Sequence, residues 1–537
     1  MCPDELKLPA NSWCRSQQMY ILSGGKWQNH YLDYHLSAGS LRIEAAAWLN
    51  LGEAKGMYFE RKFNLRMLGE YVRELGWRAV YLKAKSRLAE SGRNQKFYSI
   101  GIGKVLESRE CSEYAAGDHL VFIAPMHPAA AERVVLPPML VRRVDETLYL
   151  QYAHIDGIQH YATPEPPPEL VLPDLFGWHP ESGRKLNMAE LTACLEKAED
   201  CWRRLSLKSS LLRCAARSEI RESSAEKVAA APGNVAAAVY GLGNYAKTQL
   251  MPNLDARVQI CEIHEIDPTQ IGNPADYKAR IVSSSEFLPD SGCKVFFAAG
   301  YHHTHAEIAA RAIESGGIAV VEKPVVTTPA QLEQLLELDR QFPGRLFSCY
   351  HMRHNPLFAE ARRDLGVSPG EPVHISSDVY EVVLPPYHWY RWPASRSHLV
   401  SNGCHWLDHF LFMNDYAKPV KFSASAAANG DSISQVELAN GACLFLHLTH
   451  LGSPRIGVQD RVVMRAGNNT VSVTNGATYQ FEDEVCLRRS FTGNRMDAYR
   501  QMYRNISAAI VAGQPGDSHE ALRHTNELIL ALDAMLS

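Results

Sequence analysis

Val235-Ala-Ala-Ala-Val-Tyr240 is an apolar run that leads straight into Gly241-Leu-Gly243-Asn-Tyr-Ala246 and then into a helix-forming stretch. A G-x-G-x-x-A turn alone is weak evidence, but here its context adds to it: the run predicts a buried strand and the glycines predict a tight turn opening a helix. Gly241 permits the turn, Gly243 lets a pyrophosphate approach the backbone, and small Ala246 allows close helix–strand packing. The helix N-terminus offers unpaired N–H groups to phosphate. A second apolar run, Val258-Gln-Ile-Cys-Glu-Ile263, ends beside Glu265, at the spacing of an acid that binds an adenosine ribose. Asp267 is a nearby competitor. Two ordinary βα turns with a surface acid would also give this pattern. The dinucleotide reading takes Gly241, Gly243, Asn244, Tyr245, Ala246 and Glu265 as cofactor residues. A carboxylate accepts from a 2′-hydroxyl and repels a 2′-phosphate, so NAD is expected ahead of NADP.

At 537 residues the chain is too long for one core, and two to four domains are expected. A formal net charge of −4 gives no global field for nucleic acid or an anionic membrane. The twelve cysteines include no C-x-x-C pair, which argues against structural zinc and against a disulfide scaffold. The start lacks the basic and apolar regions of a signal peptide, and no run approaches the roughly 18 apolar residues of a membrane span. A reducing cytoplasm is the expected setting.

Composition divides the chain into residues 1–150, 151–230, 231–355 and 356–537. The first part carries strand-type runs at 103–107, 119–123 and 133–136. The second holds a proline cluster at 164–168, a helical pattern over 188–213 and a polar linker near 215–233. After residue 234 strand and helix patterns alternate, which predicts a parallel sheet. Beyond about 370 strands predominate, and a helix from His519 to Leu536 closes the chain.

Lys294-Val-Phe-Phe-Ala-Ala-Gly-Tyr-His-His-Thr-His-Ala306, Gly317 to Glu322-Lys-Pro324, Arg353-His-Asn-Pro356 and Asn402-Gly-Cys-His405-Trp-Leu-Asp408 follow one another in order. Together they resemble the glucose–fructose oxidoreductase/inositol dehydrogenase (Gfo/Idh/MocA) family, over about residues 234–537. The resemblance implies an α/β Rossmann domain followed by an α+β domain with a large, mainly antiparallel sheet. It implies a hydride transfer between NAD(P) and a hydroxyl/carbonyl carbon, with Lys323 and His405 relaying the proton. Glu322 and Pro324 would border the nicotinamide, with a cis peptide before Pro324, and His302 and His305 would lie on a loop beside the cofactor. A metal at His302, His303 and His305 is the competing reading, and no metal is assigned. Arg353, Arg396, His398, Ser401 and Asp408 are candidates for the substrate side. His388, Tyr390, Arg391, Arg396 and His398 supply donors for a polyhydroxylated or anionic ligand, or form a solvated loop.

One position departs from the family. Its dehydrogenases commonly place an aspartate four residues before the histidine, where this chain has Ser401. Serine can orient an imidazole but cannot stabilise an imidazolium as a carboxylate does. The proton path would then use Asp408, His398 or a substrate group. Trp77 to Leu140 loosely resembles the GroES-like domain of medium-chain alcohol dehydrogenases, without zinc ligands or a second nucleotide fingerprint. It is expected to be a β-rich, non-catalytic domain extended by the helical region. Three functions are consistent with these residues: an oxidoreductase on a sugar-like or other small polar substrate; a closed redox cycle on tightly held NAD, as in an epimerase or lyase; and a decayed cofactor-binding scaffold. A homo-oligomer, dimer or tetramer, is expected by analogy.

Overall fold

The computed structural model describes residues 17–23, 26–32, 40–53, 65–91 and most of 94–149, then 228–536 apart from 266–276, 283–286, 289–290, 385–388, 392 and 454. The expected helix over 188–213, the proline cluster, the linker up to 227, Asp267 and His388 lie outside the described residues, as does the side chain of Arg391.

Near the N-terminus, β1 (Gln17–Ser23), β2 (Lys26–Leu32) and the short β4 (Asn94–Gln95) form one antiparallel sheet. A second sheet joins β3 (Ser40–Glu53), β5 (Phe97–Arg109), β6 (His119–Ala124), β7 (Arg133–Leu136) and β8 (Val141–Arg143) in the order β7-β3-β5-β6-β8. The runs expected at 103–107, 119–123 and 133–136 are strands of this sheet. Between β3 and β4 stands a helix that composition did not signal, α1 (Leu65–Ser91), bent at Gly76, whose φ is 79°. Trp77 to Tyr81, where the small-barrel resemblance began, is therefore helical.

The six-stranded sheet that follows is wholly parallel. It contains β9 (Val235–Tyr240), β10 (Val258–His264), β11 (Arg280–Val282), β12 (Val295–Ala298), β13 (Ile318–Glu322) and β14 (Leu346–Cys349). Its order, β11-β10-β9-β12-β13-β14, is that of a doubly wound dinucleotide-binding sheet, whose ligands bind beyond the strand C-termini where the order reverses. Burial on both faces explains the continuous apolar runs. Helices α2 (His305–Glu314) and α3 (Pro329–Gln341) cover one face. The other face is closed from far along the chain by α6 (Asp497–Val511), whose Met502, Tyr503, Ile506 and Ile510 pack on Val239, Val295, Phe297 and Val320.

After α4 (Pro356–Leu365) the chain enters β15 (His374–Tyr380) and reaches α5 (Cys404–Met413). The strands β16 (Pro419–Ala426), β17 (Ser432–Leu438), β18 (Cys443–Thr449), β19 (Gln459–Ala466), β20 (Asn469–Thr474), β21 (Thr478–Glu482) and β22 (Leu487–Thr492) follow. They form an eight-stranded sheet, β16-β17-β18-β15-β19-β20-β21-β22, antiparallel except for the β15–β18 pair. Strict alternation in β17 buries Ser432, Ser434, Val436 and Leu438 and turns Ile433, Gln435 and Glu437 outward. The sheet therefore has one covered face and one open face. The last helix, α7 (His519–Leu536), packs against α3 and α5 and joins the two units. Among the described residues no helix is long and apolar enough to cross a membrane.

Candidate active site

The glycine turn at the end of β9 has the geometry its sequence implied. Gly241 has φ of 97°, and a Cβ there would lie 2.5 Å from the Gly300 Cα, so a side chain is excluded twice over. A Cβ on Gly243 would meet nothing within 4 Å; the backbone there borders open space. Ala246 is buried, and the helical turn from Asn244 onward points its N-terminus at that space. Glu265, also buried, accepts from the Leu242 N–H at 2.6 Å, which brings the acid of β10 onto the turn itself. A carboxylate has room for further donors beside that bond. Turn, open approach, helix start and acid together fit a nicotinamide dinucleotide.

Tyr245 points the other way, into the protein. Its hydroxyl lies 3.2 Å from that of Tyr503 on α6, and the Tyr503 hydroxyl donates to Glu322 at the end of β13. Burial raises the Glu322 carboxyl above its ordinary pKa, against the opposing pull of Tyr503, Lys323 and Tyr245. The Lys323–Pro324 peptide is cis, as the resemblance implied. His305 ties this turn to the glycine loop: Nδ1 lies 2.9 Å from the Pro324 carbonyl and Nε2 3.3 Å from the Gly300 carbonyl. Burial lowers its pKa to about 4, so it is a neutral brace.

Lys323 reaches across the domain boundary. Its Nζ donates to the Ser401 carbonyl at 2.7 Å and sits 5.5 Å from the centre of the Tyr390 ring. Burial works against its charge, but Tyr390, Cys404, Glu322 and Tyr499 outweigh this and hold its pKa above the ordinary value. Tyr390 and Trp389 also pack on His302, with ring centres 4.6 Å apart in each case. This short aromatic segment from the sheet domain closes over the β12–α2 loop.

His405 starts α5 beside this group, nearly buried. Its ring lies 4.3 Å from that of His351, which stacks on Tyr499 at the same separation. Burial first, then His351 and Lys323, push the His405 pKa well below normal. Its buried Nδ1 has no hydrogen-bond partner among the described residues. Ser401 does not supply one: its hydroxyl faces the His398 carbonyl at 3.5 Å, within its own helical turn.

The other substrate candidates are held elsewhere. Arg353 binds Asp408 (Nε to carboxylate, 2.9 Å) and Asp517 (3.0 Å), and Thr525 donates to Asp408 at 3.3 Å. This buried ion pair joins the β14–α4 connection to α5. Arg396, at φ of 64°, binds Asp533 of α7 at 2.8 Å. His398 instead faces Glu381, with Nδ1 2.9 Å from one carboxylate oxygen, while the Asn402 amide donates to the other at 2.8 Å. Among the described residues no group of three His, Cys, Asp or Glu is arranged to hold a metal ion.

Sequence reasoning missed Glu381, His351, Tyr499 and Tyr503. Only Tyr499 and Tyr503 left a signal, two tyrosines one helical turn apart on the inward face of an amphipathic helix.

Residues 235–349 match the Gfo/Idh/MocA family, described as "Oxidoreductase family, NAD-binding Rossmann fold". No curated protein matches the chain. Among solved structures, it is similar to UDP-N-acetylglucosamine 3-dehydrogenase GnnA from Acidithiobacillus ferrooxidans, at 17% identity and TM-score 0.47, covering 56% of this chain and 98% of that one. It is also similar to the WlbA dehydrogenase from Bordetella pertussis, solved with NADH and UDP-GlcNAcA, at 15% identity and TM-score 0.46 over 56% and 95% of the two chains. A third is KijD10, a 3-ketoreductase from Actinomadura kijaniata solved with NADP and TDP-benzene, at 14% identity and TM-score 0.47 over 56% and 98%.

Proposed function

We propose that this NAD(P)-dependent oxidoreductase, whose residues 235–349 belong to the Gfo/Idh/MocA family, interconverts a hydroxyl and a carbonyl on a small polar, sugar-like molecule, with NAD preferred. The observation that carries the proposal is Lys323. A charged ammonium, held at the edge of the nucleotide-binding sheet and reaching a backbone carbonyl of the sheet domain, is a donor placed where two domains meet. When bound, the cofactor supplies the hydride acceptor or donor. The protein's own groups then have separable tasks. Glu265 and the turn at Gly241 and Gly243 hold the adenosine and pyrophosphate, and the carboxylate disfavours a 2′-phosphate. Lys323 exchanges its carbonyl partner for the reacting oxygen and stabilises the negative charge that develops there. Trp389 and Tyr390 keep water from that point.

His405 lines the same point as a neutral imidazole. With no carboxylate on Nδ1 among the described residues, it lacks the support that usually makes a histidine a strong base. Arg353 and Asp408 pair with each other inside the fold, which favours a structural role for them. We read 231–355 as the nucleotide-binding domain and 356–537 as the substrate domain.

The test is turnover of a panel of hexoses, hexuronates, inositols and nucleotide-linked sugars with NAD+, followed as NADH absorbance. Turnover that falls at least about 100-fold in Lys323→Met, with NADH affinity held within about twofold, supports the proposal. Equal turnover in wild type and Lys323→Met contradicts it.

A further inference from the structure

We infer that the acid–base group of this enzyme is His398 backed by Glu381, a carboxylate–imidazole pair that takes over the task the chain has lost at Ser401. The inference rests on the oxidoreductase reading above and names the residue that handles its proton.

The geometry separates the two imidazoles at the domain boundary. His405 has a buried Nδ1 with no partner among the described residues, so none of them fixes its tautomer or would stabilise its charged form. His398 has both forms of support. Its Nδ1 lies 2.9 Å from a Glu381 oxygen, and Glu381 is 4% exposed and fixed from the other side by Asn402 at 2.8 Å. A carboxylate only accepts, so the hydrogen of this contact belongs to Nδ1, and Nε2 is left as an acceptor. That Nε2 is unburied and has no partner among the described residues, on a side chain that is 27% exposed. The pair therefore presents a lone pair outward with a buried negative charge behind it, the arrangement a general base requires.

Its place in the fold is that of the missing aspartate, moved by one turn. His398 begins the helical stretch that continues through Ser401 and Asn402 into α5, and the Ser401 carbonyl is the group Lys323 touches. The segment leading into His398 carries Tyr390, which faces Lys323. Asn402 and His398, four residues apart, hold the same carboxylate and so share a face. Among the described residues, Glu381, just after β15, and His450, after β18 with its ring centre 4.6 Å away, face His398.

In the oxidative direction the substrate C–H bond would break with its electron pair, and NAD+ held at the Gly241–Gly243 turn would be the two-electron acceptor of that hydride. The hydroxyl proton moves to His398 Nε2, and the C–O single bond becomes a carbonyl whose oxygen Lys323 holds. The imidazolium forms against Glu381 and releases its proton to water at its exposed edge. Reduction runs the same steps backward.

Two measurements on the full-length protein test this. With NADH bound, 15N spectra of the histidine rings are expected to show His398 as the Nδ1–H tautomer, lost in Glu381→Ala; the Nε2–H tautomer in the wild type would overturn the inference. In turnover of the best panel substrate, His398→Ala is expected to lose at least about 100-fold in kcat with KM for NAD+ within about twofold, and added imidazole to restore at least about tenfold. Glu381→Gln, which keeps the shape and removes the charge, is expected to lose about tenfold. An active wild type whose His398→Ala variant is equally active overturns this inference alone. A wild type inactive on the whole panel overturns the oxidoreductase proposal from which it starts.

Discussion

Gly241 and Gly243 stand two residues apart and have opposite reasons to lack a side chain, which makes them a sensitive test of the nucleotide site. Gly241 is needed by the fold: alanine there would meet the backbone of Ala299 and Gly300 in a left-handed conformation. Strain of about 1–2 kcal/mol from φ alone, with the clash added, is expected to lower the melting temperature of Gly241→Ala by several degrees. Gly243 is needed only by the ligand. Gly243→Val is expected to melt within about 2 °C of the wild type and to bind NADH at least about tenfold more weakly, as read by fluorescence titration. A Gly243→Val protein that bound NADH normally would remove the pyrophosphate from this turn. Both glycines were legible in the sequence, because their reasons are local. Glu381 was not, because its partners His398 and Asn402 are 17 and 21 residues away and meet it only when β15 and the start of α5 come together.

Helix α5 carries a second buried histidine whose consequence is for stability. His409 is fully buried against Phe358, with ring centres 3.9 Å apart and neither nitrogen bonded among the described residues. Burial, with Arg362 adding to it, lowers its pKa to about 3. The folded state therefore binds this proton less readily than the unfolded chain, whose histidine titrates near 6.5. Stability from this group is complete above the unfolded pKa and is lost as pH falls below it, by about 2 kcal/mol at pH 5. Urea unfolding at pH 7.5 and pH 5 is expected to show His409→Leu losing less stability on acidification than the wild type. An unchanged difference would mean that His409 keeps its normal affinity for protons. The parallel strands, the glycine turn and the final helix were visible in local patterns at this scale. The cover of the nucleotide-binding sheet by α6 was not: Tyr503 and Tyr245 are 258 residues apart, and their contact is set by topology. Helix α1 was hidden for another reason, since Gly69 and Gly76 interrupt its pattern.

Across the whole molecule, the eight-stranded sheet leaves its outer face open, with Ile433 39% and Phe445 43% exposed on neighbouring strands. We propose, as the family resemblance implies, a homodimer through this face. Phe445→Glu is expected to shift the mass measured by light scattering from dimer to monomer; a wild type that is monomeric at micromolar concentration would contradict this. The central claim concerns the cofactor, because every assignment around Lys323 depends on a nicotinamide lying beside it. The most direct test is to titrate the cofactor-free protein, and its Glu265→Ala variant, with NADH and NADPH. The account requires one NADH per chain, tighter than NADPH by at least about tenfold, with that preference reduced in Glu265→Ala. Binding of neither nucleotide would contradict it.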